Sequence, residues 1–129
     1  MDSVLFEIKN NIGCITLNRP EKFNAFNREM ALLVQSMLDR CAMDKSIRCV
    51  LITGNGKDFS AGQDLAEVVD PNGPSMKQIL SEHYNPIILR IRGLKKPVVA
   101  AVNGVAAGAA ANIALCCDVV LASASASFI

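Results

Sequence analysis

The chain of 129 residues lacks tryptophan, has one tyrosine and one histidine, and carries a net charge of only +1. With no excess of basic residues and no basic stripe, it gives no reason to expect a nucleic acid as its partner. Hydrophobic residues make up 51% and charged residues 19%, which is typical of a folded chain rather than a disordered one. The length indicates one domain at most, large enough to bury a core of its own.

Cysteine patterns typical of disulfide frameworks or metal sites are also missing. The five cysteines are odd in number, no CxxC pair occurs, and Cys116 and Cys117 are adjacent. We therefore expect neither disulfides nor a metal site, and we expect the cysteines to behave as small buried hydrophobic groups. The start, MDSVLFEIK, lacks a positive segment followed by an apolar run, so we expect a cytoplasmic protein without a secretory signal.

The longest apolar stretch, Val98 to Cys117, is about long enough to span a bilayer. Asn103 and Asn112 interrupt it, alanine is barely hydrophobic, and no aromatic belt flanks it, so we expect no membrane contact. Instead, residues 98–102 predict a strand that breaks at the Asn-Gly turn and re-forms as an alanine-rich helix beginning near Gly108.

Small side chains in this turn would let a ligand approach the backbone closely. The first amides of a helix lack carbonyl partners and lie at the positive end of its dipole, so they stabilise developing negative charge. Taken alone, residues 96–118 fit equally well a plain strand and a tightly packed helix.

The remaining chain alternates between predicted strands and helices. Residues 4–8 and 14–17 predict a β-hairpin, and residues 49–52 predict a buried strand. Residues 119–122 predict a last strand, which SASASFI would continue.

Helices are predicted from apolar spacing and from capping residues. Asn27 should cap a helix whose apolar face is formed by Met30, Leu33, Val34, Met37, Leu38 and Cys41. A short helix should begin near Asp64, which is favoured as its cap over a catalytic role. A long helix over residues 75–94 must be kinked or divided by Pro86. His83 lies in that helix and is expected to be a packing or surface residue rather than a catalytic one.

Alternating strands and helices favour an α/β fold with parallel strand pairing. The loops 54–63 and 103–109 each follow a strand and lead into a helix, so both should lie at the carboxyl edge of the sheet, where ligands gather. Two backbone amides converging there could hold one carbonyl oxygen, as enolate and acyl chemistry requires.

With both turns in view, the sequence resembles the enoyl-CoA hydratase/isomerase (crotonase) family over its whole length. NRPEKFNAF resembles the coenzyme A loop of the family, GKDFSAGQDL its first oxyanion segment and KPVVAAVNGVAAGAAANIALCCDVVLAS its second. Within the family, HYNPIILRIRGLKKPVVAAVNGVAAGAAANIAL looks most like the ring 1,2-epoxyphenylacetyl-CoA isomerases of phenylacetate breakdown.

The resemblance implies an α/β fold of the ClpP/crotonase type, a spiral of ββα units that is truncated before the C-terminal helical region. Residues 1–129 would then be the N-terminal part of a crotonase-like domain. It also implies an enzyme acting on an acyl-CoA thioester, with coenzyme A as part of the substrate and no separate cofactor. Family members form trimers or hexamers, so a homo-oligomer is expected.

The resemblance also assigns roles to individual residues. It places the backbone amides of Gln63 and Ala109 around the thioester oxygen. Lys22 would lie near the coenzyme's phosphates, a role that Arg19 could take instead, although a solvated loop lysine is an equal alternative. The adenine and pantetheine path would be lined by Ala25, Ala61, Gln63, Asp64 and Leu65.

Asn112 occupies the position where hydratases of the family carry a glutamate. An amide can make a polar contact with substrate or water but cannot act as a general acid or base. The family's second catalytic carboxylate lies in a segment beyond Ile129. We therefore expect isomerisation of a double bond or an epoxide, in phenylacetate or fatty-acid catabolism, through a stabilised thioester enolate. The alternatives are an enoyl-CoA hydratase and a non-catalytic fragment that binds coenzyme A.

Overall fold

The computed structural model describes residues 2–129 as strands and helices that alternate for most of the chain. A 3-10 turn spans Pro20–Lys22 and a π-helical segment spans Ile79–Tyr84. The remaining elements are β1 (Val4–Lys9), β2 (Ile12–Leu17), α1 (Arg28–Met43), β3 (Cys49–Gly54), α2 (Leu65–Val69), α3 (Met76–Gln78), α4 (Asn85–Gly93), β4 (Val98–Val102), β5 (Val105–Ala106), α5 (Ala109–Leu115), β6 (Val119–Ala122) and β7 (Ser127–Phe128).

Five strands form the main sheet in the order β1-β2-β3-β4-β6. The first two form the predicted antiparallel hairpin, and its turn residues Asn10 and Asn11 have φ angles of 51° and 64°. Asparagine tolerates this left-handed conformation, which two-residue hairpin turns require. The other neighbours in the sheet pair in parallel, as the alternation of strands and helices predicted.

Helix α1 covers part of the sheet and packs against β1, β2 and α4. Asn27 caps it as predicted, with its side-chain oxygen accepting from the amide of Met30 at 3.0 Å. The predicted apolar face is buried at Met30, Val34, Leu38 and Cys41, while Leu33 and Met37 are partly buried.

The helical region from residue 76 to residue 93 is divided near Pro86, as predicted. The regular helix α4 begins at Asn85 with Pro86 in its first turn, and the segment before it is π-helical, with the amide of Asn85 donating to the carbonyl of Leu80. Because proline lacks an N–H, the carbonyl of Glu82 loses its usual helical donor. The buried side chain of Gln35 on α1 replaces it, its Nε2 donating to Glu82 O at 2.7 Å and to His83 O at 3.2 Å.

The apolar stretch after β4 also needs correction. It does not pass directly from strand to helix, because β5 lies between the Asn-Gly turn and α5. The SASASFI segment does not simply continue β6; it turns back, and β7 pairs in parallel with β5 in a separate two-stranded sheet. The residues just before α5 are therefore bonded to the last residue of the chain, with the amide of Ile129 donating to Ala106 O at 3.0 Å and the amide of Gly108 donating to Ile129 O at 2.9 Å.

Val98 to Cys117 is thus built from two strands and a helix of seven residues. Within residues 2–129, no helix is long and apolar enough to cross a bilayer. All five cysteines are free thiols. Cys41 and Cys117 are buried as expected, but the expectation is wrong for Cys14, Cys49 and Cys116, which are only half-buried.

Candidate functional site

A cleft of about 610 Å³ lies between the 3-10 turn, the loop before α2 and the start of α5. Three separate stretches of the sequence therefore meet around one space. The cleft is lined by Glu21, Lys22, Phe23, Ala25, Ala61, Gln63, Asp64, Leu65, Ala66, Gly108 and Ala109.

The backbone on both sides of Gln63 is fixed by Phe26. The amide of Phe26 donates to Gly62 O at 2.7 Å, and the amide of Asp64 donates to Phe26 O at 2.8 Å, which makes a parallel bridge between residues 26 and 63. In extended backbone, successive peptide groups point to opposite sides. The N–H of Gln63 therefore points away from Phe26.

Gly62 allows the loop to approach the start of α5 closely. Its φ is +94°, and a Cβ built there would lie 2.7 Å from Ala107 O and 3.6 Å from Ala109 N. Only glycine meets both requirements, since it adopts positive φ readily and carries no Cβ. At the other side of this contact Gly108 also has a positive φ, of +56°, and serves as the N-cap of α5, as predicted.

The amides of Gln63 and Ala109 share a second property. Across the part of the chain that the structure describes, neither N–H donates to a protein acceptor. The neighbouring amides of Ala107, Gly108 and Ala110 do donate, to Ser60 O at 3.0 Å, Ile129 O at 2.9 Å and Ala107 O at 3.1 Å respectively. The two predicted oxyanion donors thus stand free on the wall of one cleft.

Asp64 caps α2, as predicted, because its Oδ1 accepts from the amide of Ala66 at 2.9 Å. Its Oδ2 pairs with Arg19 at 3.0 Å, and the same guanidinium donates to Ala25 O at 2.6 Å. Arg19 is therefore occupied within the fold. The idea that it could replace Lys22 beside phosphates does not fit this geometry, whereas Lys22 itself is exposed at the cleft.

The other predicted contacts lie along the same wall. Ala25 is buried, whereas Ala61 and Leu65 are exposed to the cleft. Asn112 is the exception among the predicted site residues, since it does not line the cleft. It is exposed on α5, one turn beyond the free amide of Ala109, and its own amide donates to Gly108 O at 3.3 Å.

Two residues that the sequence did not single out hold the side chain of Gln63. The hydroxyl of Tyr84 donates to Gln63 Oε1 at 2.6 Å, and Gln63 Nε2 donates to Glu67 Oε1 at 3.0 Å. Burial raises the pKa of Tyr84, and the charges of Glu67 and Asp64 raise it further, so the hydroxyl stays protonated. A buried tyrosine usually finds a partner for its O–H, and that was the available signal for this contact.

His83 is buried beside this group, as a packing residue. Burial lowers its pKa and Arg28 lowers it further, while Glu67 and Glu82 act in the opposite direction. Arg28 Nη1 lies 3.2 Å from His83 Nε2. Because arginine only donates, Nε2 must accept, which leaves the hydrogen of the neutral ring on Nδ1.

No cluster of three or more histidine, cysteine, aspartate or glutamate side chains suited to a metal ion occurs between residues 2 and 129.

Known proteins resemble this chain in sequence and fold over nearly its whole length. The family described as enoyl-CoA hydratase/isomerase matches residues 7–129. The chain is 45% identical to the 1,2-epoxyphenylacetyl-CoA isomerase of Escherichia coli, over 100% of this chain and 50% of that protein. It is 35% identical to the 2,3-dehydroadipyl-CoA hydratase of the same organism, over 99% of this chain and 49% of that protein.

A solved structure from Pseudomonas aeruginosa superposes with a TM-score of 0.91 at 36% identity, and the match covers 99% of this chain and 55% of the other. The chain spans about half the length of the curated relatives it matches. From the family match, the relatives and the fold together, the chain belongs to the enoyl-CoA hydratase/isomerase family and has the crotonase fold.

Proposed function

We propose that the cleft binds an acyl-CoA thioester and that the backbone amides of Gln63 and Ala109 donate to its carbonyl oxygen. The observation that carries this proposal is the pair of amides without protein acceptors, supplied by separate segments to one cleft. Loss of a proton from carbon beside or conjugated with the thioester places negative charge on that oxygen. Fixed donors stabilise such charge without having to reorganise during the reaction.

Both amides are held in advance of binding. The bridge to Phe26 fixes the backbone around Gln63, and the pairing of β5 with β7 fixes the backbone just before α5. Ala109 is the first residue of α5, where the unpaired amides carry partial positive charge. Phosphates of the coenzyme would meet the exposed Lys22 at the other side of the cleft. Coenzyme A would enter as part of the substrate, so we propose no separate cofactor.

For the reaction we propose isomerisation of a double bond or an epoxide. The relative at 45% identity is an isomerase, and the amide of Asn112 cannot transfer a proton as a carboxylate does. Of the two carboxylates lining the cleft, Asp64 is already paired with Arg19 and capping α2, and Glu21 lies on the exposed 3-10 turn. The proton-transfer group must therefore come from outside this lining.

Two other activities are supported by specific observations. Hydration is supported by the hydratase among the relatives. Binding of a coenzyme A thioester without turnover is supported by the pairing of Asp64 with Arg19, which leaves Glu21, on the exposed 3-10 turn, as the other carboxylate in the cleft lining. Incubation of the 129-residue chain with unsaturated and epoxide-bearing CoA esters separates the three, by product formed or by binding alone.

The oxyanion role is tested with a non-reactive acyl-CoA analogue labelled with ¹³C at the thioester carbonyl. Difference infrared spectroscopy should show the carbonyl stretch lowered on binding, relative to water. Ala109→Pro removes one donor at the first helical position, where proline is tolerated, and should return part of the shift. In a chain that turns over, loss of one such donor typically costs ~10²–10³-fold in kcat.

Met76→Pro is the matched control, because it places proline at the first position of α3, outside the cleft. It should leave the shift intact. A wild-type carbonyl that shows no shift when bound, or a full shift retained in Ala109→Pro, would refute the assignment.

A further inference from the structure

We infer that Tyr84 and Glu67 are positioning residues that clamp the carboxamide of Gln63 and so fix the direction of its backbone N–H in the cleft. This inference rests on the proposed oxyanion role of that N–H. Neither residue lines the cleft, so any effect they have on a bound thioester must pass through Gln63.

The carboxamide of Gln63 is fully engaged by the protein. Its oxygen accepts from the Tyr84 hydroxyl at 2.6 Å. Its nitrogen donates to Glu67 Oε1 at 3.0 Å and to the backbone carbonyl of Asp64 at 3.1 Å. The side chain is therefore not free to fold over its own backbone amide or to compete with a ligand for it.

The two clamping residues are themselves anchored. Tyr84 is buried, and its ring packs on Phe26 with centroids 5.9 Å apart. Phe26 is also the backbone partner of Gln63. Tyr84 therefore supports residue 63 in two ways, through the side chain of Gln63 and through the backbone bridge made by Phe26. Glu67 Oε2 accepts from the amide of Arg28 at 2.7 Å, at the positive end of the 16-residue helix α1.

The clamp adds to the constraint that the Phe26 bridge places on the backbone after Gly62. The close approach to Ala107 and Ala109 demands glycine at position 62, and glycine restricts the following peptide plane less than any other residue. The bonds to Phe26 hold the carbonyl of residue 62 and the amide of residue 64. The side chain of Gln63 supplies a third point, and three points fix the orientation of the group between them.

Glu67 lies outside the cleft lining, so it is not placed to exchange a proton with a bound thioester. Both of its carboxylate oxygens accept hydrogen bonds from Gln63 and from Arg28. Tyr84 donates its only proton to Gln63 and keeps it, because burial raises its pKa. Their role is therefore positional, which predicts effects on carbonyl polarisation that exceed effects on binding of the coenzyme.

The test uses Tyr84→Phe, which removes the hydroxyl and keeps the ring on Phe26, and Gln63→Leu, which releases the clamp from the other side but keeps the backbone N–H. Each should return part of the carbonyl shift of the bound ¹³C-labelled acyl-CoA analogue. For Tyr84→Phe, which lies outside the cleft lining, affinity for free coenzyme A, which has no acyl carbonyl, should stay within about twofold in titration calorimetry. The double variant should lose no more of the shift than either single variant, because both changes break one connection.

Thr53→Val is the matched control. It removes a hydroxyl that donates to Ala101 O at 2.8 Å, outside the cleft, and should leave the shift unchanged. A full shift in both Tyr84→Phe and Gln63→Leu overturns the clamp while leaving the oxyanion role intact. Absence of a shift in the wild-type chain would refute both the proposed function and the clamp. If Tyr84→Phe fails to fold, as judged by circular dichroism, Gln63→Leu alone decides.

Discussion

Substitution of Gly62 by alanine tests the close contact that brings the two free amides together. Two separate costs are expected at this position. Positive φ, here +94°, costs a non-glycine residue about 1–3 kcal/mol. The new Cβ would also lie 2.7 Å from the backbone oxygen of Ala107, so the loop or the start of α5 must shift, at a further cost of about 1–3 kcal/mol.

Two other glycines separate these costs. Gly56 has a φ of +87°, but a Cβ there would meet only the Pro20 side chain, at 3.2 Å. Gly56→Ala should therefore show mainly the φ cost, about 1–3 kcal/mol. Gly93, at the end of α4, has nothing within 4 Å of a built Cβ, and its replacement by alanine should stabilise the fold by about 0.5–1 kcal/mol.

Urea unfolding of the three variants, with the slope of each transition compared, gives the differences in free energy of unfolding. The expected order of stability is Gly93→Ala, wild type, Gly56→Ala and then Gly62→Ala. The last variant should also reduce the carbonyl shift of a bound thioester, because the loop moves away from Ala109. If Gly62→Ala costs no more than Gly56→Ala, the close-approach argument is wrong.

Three further predictions follow from the same contacts. Burial holds the pKa of His83 below its usual 6.5, so the unfolded chain binds a proton more readily than the folded one. The free energy of unfolding should therefore rise with pH up to about 6.5, and His83→Gln should flatten that rise, as measured by urea midpoints. Gln35→Met should lower the free energy of unfolding by about 1–3 kcal/mol, because it leaves the carbonyl of Glu82 unpaired. Adding Pro86→Ala should recover part of that loss by restoring a backbone donor, and additive effects in the double variant would contradict this. Asn112→Glu should raise hydration of crotonyl-CoA if a second acid is present, by up to ~10²–10⁴-fold, and fast hydration by the unaltered chain would count against isomerisation.

Local signals in the sequence were sufficient for much of the fold. The caps at Asn27 and Asp64 were predicted because a cap depends on a few neighbouring residues. The hairpin followed from two apolar runs and an asparagine turn, and the glycine at position 108 correctly marked the start of α5. The placement of Gln63 and Ala109 on one cleft came from the family resemblance together with the two strand-to-helix turns.

Contacts between distant residues were out of reach. The pairing of β5 with β7 joins segments of two residues each, too short to give a periodic signal. The bond from Tyr84 to Gln63 joins residues 21 positions apart, and nothing near Tyr84 in the sequence indicates that partner. Pro86 indicated where the helical path is divided, but the π-helical form of the preceding segment and its contact with Gln35 of another helix had no local signal.

The π-helical segment also sets a rotational phase between two halves of one helical path. Each π-type bond spans one residue more than an α-helical bond, and one residue corresponds to a rotation of about 100° around the helix axis. Ile87 and Ile91, after the segment, face the core, while Tyr84 at its end reaches Gln63. With regular α-helical bonds throughout, side chains on one side of the segment would be turned away from these partners. An angle within a single helix thus decides whether a tyrosine hydroxyl reaches the loop that carries the free amide of Gln63.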